Sequence, residues 1–178
     1  DFVEFREAIR SQLMFFNPQP IIHNEEAEMP EVEHWGEHFI KMKDKFPGAS
    51  SYYNSDKFIA IGNNCYKING RSIENECFST NVALRFNIGE IMVTANRENI
   101  RFDEATYKVL SEREQNAISE YTAYILESLE CGDLSVEEKV KLINEQDIID
   151  KSDDRVRELV GDPHLSYHRH GIRVHMAG

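Results

Sequence analysis

The segment from residue 88 to residue 110, IGEIMVTANRENIRFDEATYKVL, contains the residues best placed to do chemistry. The apolar run that ends at Val93 predicts a strand, and a long helix is predicted to begin at Asp103. Arg97 stands between these two rigid elements, so we expect the position of its positive charge to be fixed. Its planar guanidinium can bind a phosphate through two parallel hydrogen bonds. The alternative is a surface ion pair between Arg97 and Glu98 or another nearby acid, and residue types alone favour that alternative because such pairs are common.

Four histidines near the C-terminus form a second group with chemical potential: His164, His168, His170 and His175. Imidazole is a common zinc ligand, but no cysteine or carboxylate stands beside them at a matched spacing. We therefore predict that they hold no structural metal and belong to a polar terminal segment. The sequence also contains no G-x-x-x-x-G-K-[ST], G-x-G-x-x-G, H-E-x-x-H or G-x-S-x-G motif. We expect the chain alone neither to bind ATP tightly nor to hydrolyse it.

The charge of the chain excludes a broad class of partners. The 178 residues include 20 Lys+Arg and 32 Asp+Glu, which gives a net charge of −12. Such a chain does not attract the phosphate backbone of nucleic acids in general. Residues 39–101 differ, because 9 bases against 6 acids leave them at +3. If an anion binds, we expect it to bind in this middle block.

Other features of composition predict a cytoplasmic protein. No stretch approaches 18 apolar residues, and no positively charged start leads into an apolar run, so we expect neither a membrane span nor a signal peptide. The three cysteines, Cys65, Cys77 and Cys131, are odd in number and lack C-x-x-C spacing, so we interpret them as reduced thiols. The chain begins at Asp1 without a methionine, and we expect it to be a piece of a longer protein.

Hydrophobic periodicity and turn residues predict the elements. Helices are predicted over 2–16, 103–130, 135–143 and about 153–160. A tight hairpin is predicted over 57–69 with its turn at Asn63-Asn64, and further β-rich runs cover 82–86 and 88–93. The acidic segment 23–38 is predicted to be a solvated loop in which Trp35 is a packing anchor. This order predicts an α+β fold in which a mixed sheet has its helices packed mainly on one face.

Local signals also predict how two of the helices begin. Asp103 is a suitable N-cap for the long helix, and Phe102 and Tyr107 are spaced for a hydrophobic staple. Ser135 and Glu138 have the spacing of a capping box at the start of the next helix.

The sequence Thr94-Ala95-Asn96-Arg97-Glu98-Asn99-Ile100, with Phe102 after it, resembles a motif of the middle, or transducer, domain in the gyrase–heat-shock-chaperone–MutL (GHKL) ATPase superfamily. The ninety-kilodalton heat-shock chaperones carry a strand, N-x-S-R-E and a long helix there. The phage RIIA lysis-inhibition proteins, which this chain resembles most, carry T-P-S/N-R-E-x-L and then an aromatic residue. Two positions depart from the RIIA pattern, since Ala95 replaces its proline and Ile100 its leucine.

Two further segments carry the same resemblance. Residues 62–69, GNNCYKIN, are similar to a hairpin that lies upstream of the motif in RIIA-like chains. The helix that opens with Asp1-Phe2-Val3-Glu4-Phe5 resembles the helix that enters this domain. The resemblance covers residues 1–130. It implies a transducer-like α+β domain there, with a ribosomal-protein-type β-α-β crossover, and residues 131–178 follow as a helical appendage or the start of a further segment.

The resemblance implies a function in coupling. In this superfamily ATP and Mg²⁺ bind in a preceding domain of the same chain, and the middle domain adds a basic residue to the γ-phosphate. By position that residue is Arg97, with Asn96 as a second contact, and it would act like an arginine finger. The implied partners are the upstream ATP-binding domain and, as a homodimer, a second copy. No cofactor is expected in the chain itself.

A different class of function remains open beside this one. The chain is alternatively a phage or cellular protein–protein interaction module with no nucleotide role, docking through the acidic loop at 25–37 or through the acidic long helix. A free-standing enzyme or a metal protein is the third alternative. An ATP-binding segment upstream of Asp1 would favour the coupling function over the interaction module.

Overall fold

The structure of the protein is a computed structural model that describes most of the chain in ten ranges. These ranges are 2–18, 20–21, 29–47, 57–68, 81–96, 98–131, 133–144, 154–160, 166–168 and 171–173. The chain divides into two compact units, residues 1–120 and residues 121–178, and the division falls inside the long helix.

The first unit is built around a five-stranded sheet. Its elements are α1 (Phe2–Leu13), β1 (Val32–Trp35), β2 (Phe39–Met42), β3 (Lys57–Ile61), β4 (Asn64–Ile68), β5 (Val82–Phe86) and the beginning of α2 (Glu104–Glu130). The strand order is β1-β2-β5-β3-β4, in which β3 and β5 are parallel and the other neighbours are antiparallel. The α+β class with a mixed sheet is therefore confirmed.

The predicted hairpin at 57–69 is confirmed, with its turn one residue earlier than expected. Ile61 pairs with Asn64, which leaves a two-residue turn of Gly62 and Asn63. Gly62 has φ = +58°, a conformation that glycine adopts without the clash that a Cβ atom would cause. Asn64 is already the first residue of β4, so the prediction of a turn at Asn63-Asn64 is corrected.

Both faces of the sheet are covered, because every residue of β3 is buried. One face carries a cluster near the end of α1: Met14, Phe15, Ile40, Met42, Phe46, Phe58, Ala60, Cys65 and Ala83. On the other face the guanidinium of Arg113 from α2 lies 4.7 Å from the centre of the Phe86 ring. Side chains from the end of α1 and from α2 thus lie against the two faces of the sheet, since strands that are apolar on both sides need cover on both.

The acidic segment is partly a strand, which corrects the prediction of a solvated loop over 23–38. Its residues 32–35 form β1, an edge strand in which half-buried and exposed side chains alternate. Trp35 makes an edge-to-face contact with Phe15, with ring centres 6.3 Å apart. The Glu33 carboxylate forms an ion pair with Lys41 of β2, so the high charge of the segment did not prevent strand pairing. Residues 22–28 of this segment lie outside the described ranges.

The β-rich run at 88–93 forms no regular strand, so the predicted strand ending at Val93 is wrong. Only isolated bridges occur there, between Ile88 and Ile91 and between Val93 and Ile100. Gly89 turns the backbone with φ = +95°, and Ile88 is 84% exposed. β-type residues are present, but the turn at Gly89 interrupts the ladder that a strand would need.

The β-α-β crossover that the resemblance implies stays a prediction. In the first unit, the helices described lie before β1 and after β5. Residues 69–80, which join β4 to β5, lie outside the described ranges.

The second unit begins within α2, which is one continuous helix as predicted. It also contains α3 (Val136–Asn144), α4 (Asp154–Val160), β6 (Ser166–His168) and β7 (Gly171–Arg173), and the last two pair antiparallel. The capping box at α3 is confirmed: the Glu138 carboxylate accepts from Ser135 N–H at 2.8 Å, and Glu138 N–H donates to Ser135 Oγ at 3.3 Å. No helix in the described ranges is long and apolar enough to cross a membrane.

Candidate functional site

Residues 94–99, which include the candidate phosphate contacts, form a closed loop. The Thr94 N–H donates to the Asn99 carbonyl at 2.8 Å, and the Asn99 N–H donates back to Thr94 Oγ1 at 3.2 Å. Immediately outside this pair, Val93 and Ile100 form an antiparallel bridge. The two ends of the loop, Thr94 and Asn99, are therefore held together by hydrogen bonds.

The loop belongs to a longer segment, residues 87–103, which we call the ribbon. Ile91 and Ile100 anchor the ribbon in the core, and each is only 4% exposed. The Arg101 N–H donates to the Met92 carbonyl at 2.9 Å, which adds a second cross-link next to the loop. The loop therefore stands on a base that is fixed by burial and by backbone hydrogen bonds.

Asn96 organises the loop from within. Its Oδ1 accepts from Thr94 Oγ1 at 2.6 Å, and its Nδ2 donates to the Glu98 carboxylate at 2.6 Å. The Glu98 N–H adds a longer contact to the same Oδ1 at 3.4 Å. Both ends of the Asn96 amide are thus engaged inside the loop, and Nδ2 carries a second hydrogen besides the one that the Glu98 contact uses.

Arg97, the predicted phosphate contact, lies outside the described residues. Its neighbours Asn96 and Glu98 are described, and both are exposed. Binding of a phosphate by Arg97 and Asn96 therefore stays a prediction, and so does the alternative ion pair of Arg97 with a nearby acid.

The start of α2 follows the ribbon as predicted. Asp103 Oδ1 accepts a hydrogen bond from the Thr106 N–H at 2.9 Å, and this bond lowers the pKa of the Asp103 carboxyl. The rings of Phe102 and Tyr107 lie 5.7 Å apart, which confirms the hydrophobic staple. The direction in which the chain leaves the ribbon and enters the helix is thereby fixed.

An arginine that the sequence analysis did not single out joins the ribbon to α2 and to the sheet. Arg113 donates from NH2 to Glu90 Oε2 at 2.9 Å and from NH1 to His38 Nδ1 at 3.0 Å. Because an arginine only donates, His38 Nδ1 is the acceptor, and in the neutral ring Nε2 carries the proton. Burial raises the pKa of Glu90, but the hydrogen bond from the Asn87 N–H and the charge of Arg113 outweigh that effect and lower it.

The turn between β1 and β2 is tied to the same helix. The two oxygens of the Glu120 carboxylate accept from the N–H groups of Glu37 and His38, at 2.6 and 2.7 Å. Gly36 allows this approach, since a Cβ atom there would lie 2.7 Å from Glu120 Oε1. Arg85 completes the attachment by donating to the Gly36 carbonyl at 2.6 Å.

The remaining candidates do not join this site in the described ranges. Cys65 is buried, and its burial raises the pKa of the thiol to about 12, whereas Cys131 is exposed. No described cluster of three histidine, cysteine or acidic side chains is arranged to hold a metal ion. Cys77 lies outside the described residues, as do His164, His170 and His175, and only the backbone of His168 is described.

No protein-family model, no curated protein and no solved structure matches the chain.

Proposed function

We propose that the chain is the interdomain-coupling, or middle, domain of an RIIA-like or chaperone-like ATPase and supplies Arg97 to the γ-phosphate of ATP. The observation that carries this proposal is the closed loop at 94–99. Its ends are joined by hydrogen bonds between Thr94 and Asn99, and Asn96 and Glu98, the neighbours of Arg97 in the sequence, are both exposed.

The physical argument is preorganisation. A group that offsets charge on a transferring phosphoryl is effective when its position is fixed before the reaction, so that no reorganisation is needed. The buried Ile91 and Ile100 hold the base of the ribbon, and the Asp103 cap holds its exit. ATP and Mg²⁺ bind in a preceding domain, and docking of that domain on the loop brings the phosphate to Arg97.

Asn96 has a secondary part in this proposal. The Asn96 Nδ2 carries two hydrogens, and the Glu98 carboxylate accepts one of them. A phosphate oxygen accepts the other on docking, and the Thr94 contact to Asn96 Oδ1 keeps the amide oriented.

Steady-state ATP turnover of the full-length protein tests the proposal. Arg97→Ala should lower turnover by roughly tenfold or more while leaving folding nearly intact. Arg97→Lys should restore only part of the loss, since an ammonium group cannot form the two parallel bonds of a guanidinium.

Arg101→Ala is the matched control. It removes an equal charge from the same ribbon, where the Arg101 side chain is 66% exposed, and turnover should stay near that of the parent. If Arg97→Ala unfolds the domain, and turnover per folded molecule is unchanged, Arg97 is structural and the proposal fails.

A second candidate function is a protein–protein interaction module with no nucleotide role. Several large apolar side chains on and after the ribbon favour it, because Ile88 is 84% exposed, Met92 60% and Tyr107 49%. Exposed apolar side chains of this size are typical of contact surfaces when they are contiguous. Absence of ATP binding to the full-length protein by calorimetry would favour this function over the first.

A further inference from the structure

A coupling domain has to transmit what happens at its phosphate-contacting loop to the rest of its fold. The following inference rests on the proposed function and concerns the physical link that does this. The Asp103 cap is too local for the task, since it joins the ribbon only to the next turn of the chain. A link to the sheet has to come from a side chain that reaches from α2 to both the ribbon and the strands.

Arg113 is such a side chain. It is only 13% exposed, and its two terminal nitrogens bind different segments, Glu90 on the ribbon and His38 in the turn between β1 and β2. Its guanidinium also lies 4.7 Å from the centre of the Phe86 ring at the end of β5. One planar group therefore holds three parts of the first unit to α2.

Glu90 extends this contact into the backbone of the ribbon. Its Oε2 also accepts from the Asn87 N–H at 2.6 Å, and the Glu90 N–H donates to the Asn87 carbonyl at 3.2 Å. The carboxylate thus closes the turn at 87–90 and receives Arg113 on the same oxygen. A shift of this turn moves the chain that leads directly to Ile91 and the loop.

On the other side, His38 is held twice. Its ring accepts a hydrogen bond from Arg113, and its backbone N–H donates to Glu120 Oε2. The other oxygen of that carboxylate accepts from the Glu37 N–H. The turn between β1 and β2 is consequently attached to α2 at two points, Arg113 and Glu120.

We propose that Arg113 is the positioning residue that sets the described part of the ribbon relative to α2 and the turn between β1 and β2. It acts through Glu90 and His38 and touches no nucleotide. A lysine cannot replace it, because a single ammonium group lacks the fork geometry that serves two acceptors at once.

A double-mutant cycle on ATP turnover of the full-length protein tests this link. Arg113→Met, which keeps a long apolar side chain at this position but removes the guanidinium, should lower kcat by roughly tenfold with a smaller change in KM for ATP, because Arg97 is displaced from the transition state. Combined with Arg97→Ala it should cause no further loss, since the two residues act as one unit. Losses that multiply in the double variant would overturn the inference.

Hydrogen exchange of the full-length protein without nucleotide gives a readout that does not depend on ATPase activity. Arg113→Met should speed exchange of the Thr94 and Arg101 amides by roughly tenfold, because both are hydrogen-bonded within the ribbon. Glu90→Gln, which keeps an acceptor for Asn87 but removes the charge, should act in the same direction and serves if Arg113→Met does not fold. Lys108→Met is the control, since the Lys108 side chain is 78% exposed on the same helix.

The two measurements separate the possible failures. If Arg97→Ala leaves turnover unchanged, the proposed function fails, and hydrogen exchange still decides whether Arg113 positions the ribbon. If Arg97→Ala lowers turnover and ribbon exchange is the same in parent and variants, the phosphate contact stands and the positioning role of Arg113 is overturned.

Discussion

At the scale of single residues, Gly62 illustrates how one backbone angle fixes the register of a hairpin. Its φ of +58° lies in the left-handed region, which costs an L-residue about 1–2 kcal/mol. Ile88 would lie 3.0 Å from a new Cβ atom, but it is 84% exposed and can turn away. We expect Gly62→Ala to lower the free energy of unfolding by about 1 kcal/mol.

Urea denaturation of the parent and variant chains measures this difference. Gly62→Asn is the matched variant and should lose less, because asparagine enters the left-handed region more readily than alanine. Equal stability of all three proteins would show that the turn does not require this conformation.

The cysteines give a second prediction at this scale. Burial raises the pKa of Cys65 to about 12, so almost no thiolate is present at neutral pH, whereas Cys131 is exposed. Iodoacetamide at neutral pH should therefore modify Cys131 in the folded chain and leave Cys65 unmodified until denaturant is added. Peptide mapping by mass spectrometry reads both sites, and rapid labelling of Cys65 in the native protein would contradict the buried position.

Features that depend on near neighbours in sequence could be predicted at this scale, and distant contacts could not. The Asp103 cap and the Ser135–Glu138 box involve residues three apart, and both are present as expected. The contact between Glu120 and Glu37 spans 83 positions. No periodicity or spacing joins such a pair, so the residues that hold the candidate site became evident only in the fold.

At the scale of elements, the attachment of the turn between β1 and β2 to α2 can be measured through Glu120. Glu120→Ala leaves the N–H groups of Glu37 and His38 without their acceptor, and one of the two is part-buried. We expect the free energy of unfolding to fall by about 1–3 kcal/mol, the usual cost of hydrogen bonds lost to a charged group.

Glu112→Ala is the control on the same helix. Its side chain is 65% exposed and lies 3.9 Å from Lys108, so its removal should change stability by about 0.5 kcal/mol or less. A Glu120 variant as stable as the Glu112 variant, measured by urea denaturation, would show that the turn is not held by this carboxylate.

The two strand predictions that needed correction have one physical origin. The acidic composition of residues 32–35 predicts a loop, whereas the structure has a strand there. The β-type residues at 88–93 predict a strand, whereas the structure has isolated bridges there. In the first, Glu33 of β1 forms an ion pair with Lys41 of the neighbouring strand β2, which offsets its charge. The turn at Gly89 decided the second. Composition predicts the tendency of a segment, whereas neighbouring strands and turns determine whether it pairs.

At the scale of the whole molecule, the order of elements predicts the α+β class, and the mixed five-stranded sheet with its helices confirms it. A run of strands between helices predicts a mixed sheet. Every residue of β3 is buried, so both faces of this strand are covered. The sequence alone does not reveal this, because β3 begins with the charged Lys57, which would be expected to be exposed but is buried. The loop at 94–99 could be located from its motif, whereas the Arg113 link behind it could not.

The proposed coupling function depends on contact between Arg97 and the γ-phosphate, and a comparison of two nucleotides measures that contact most directly. Calorimetric titration of the full-length protein and of Arg97→Ala with ADP and with a slowly hydrolysed ATP analogue gives four affinities. A γ-phosphate contact predicts that Arg97→Ala weakens the ATP analogue by roughly tenfold or more, the scale of one lost charged hydrogen bond, and leaves ADP unchanged. An equal loss for both nucleotides, or no loss for either, would contradict the contact.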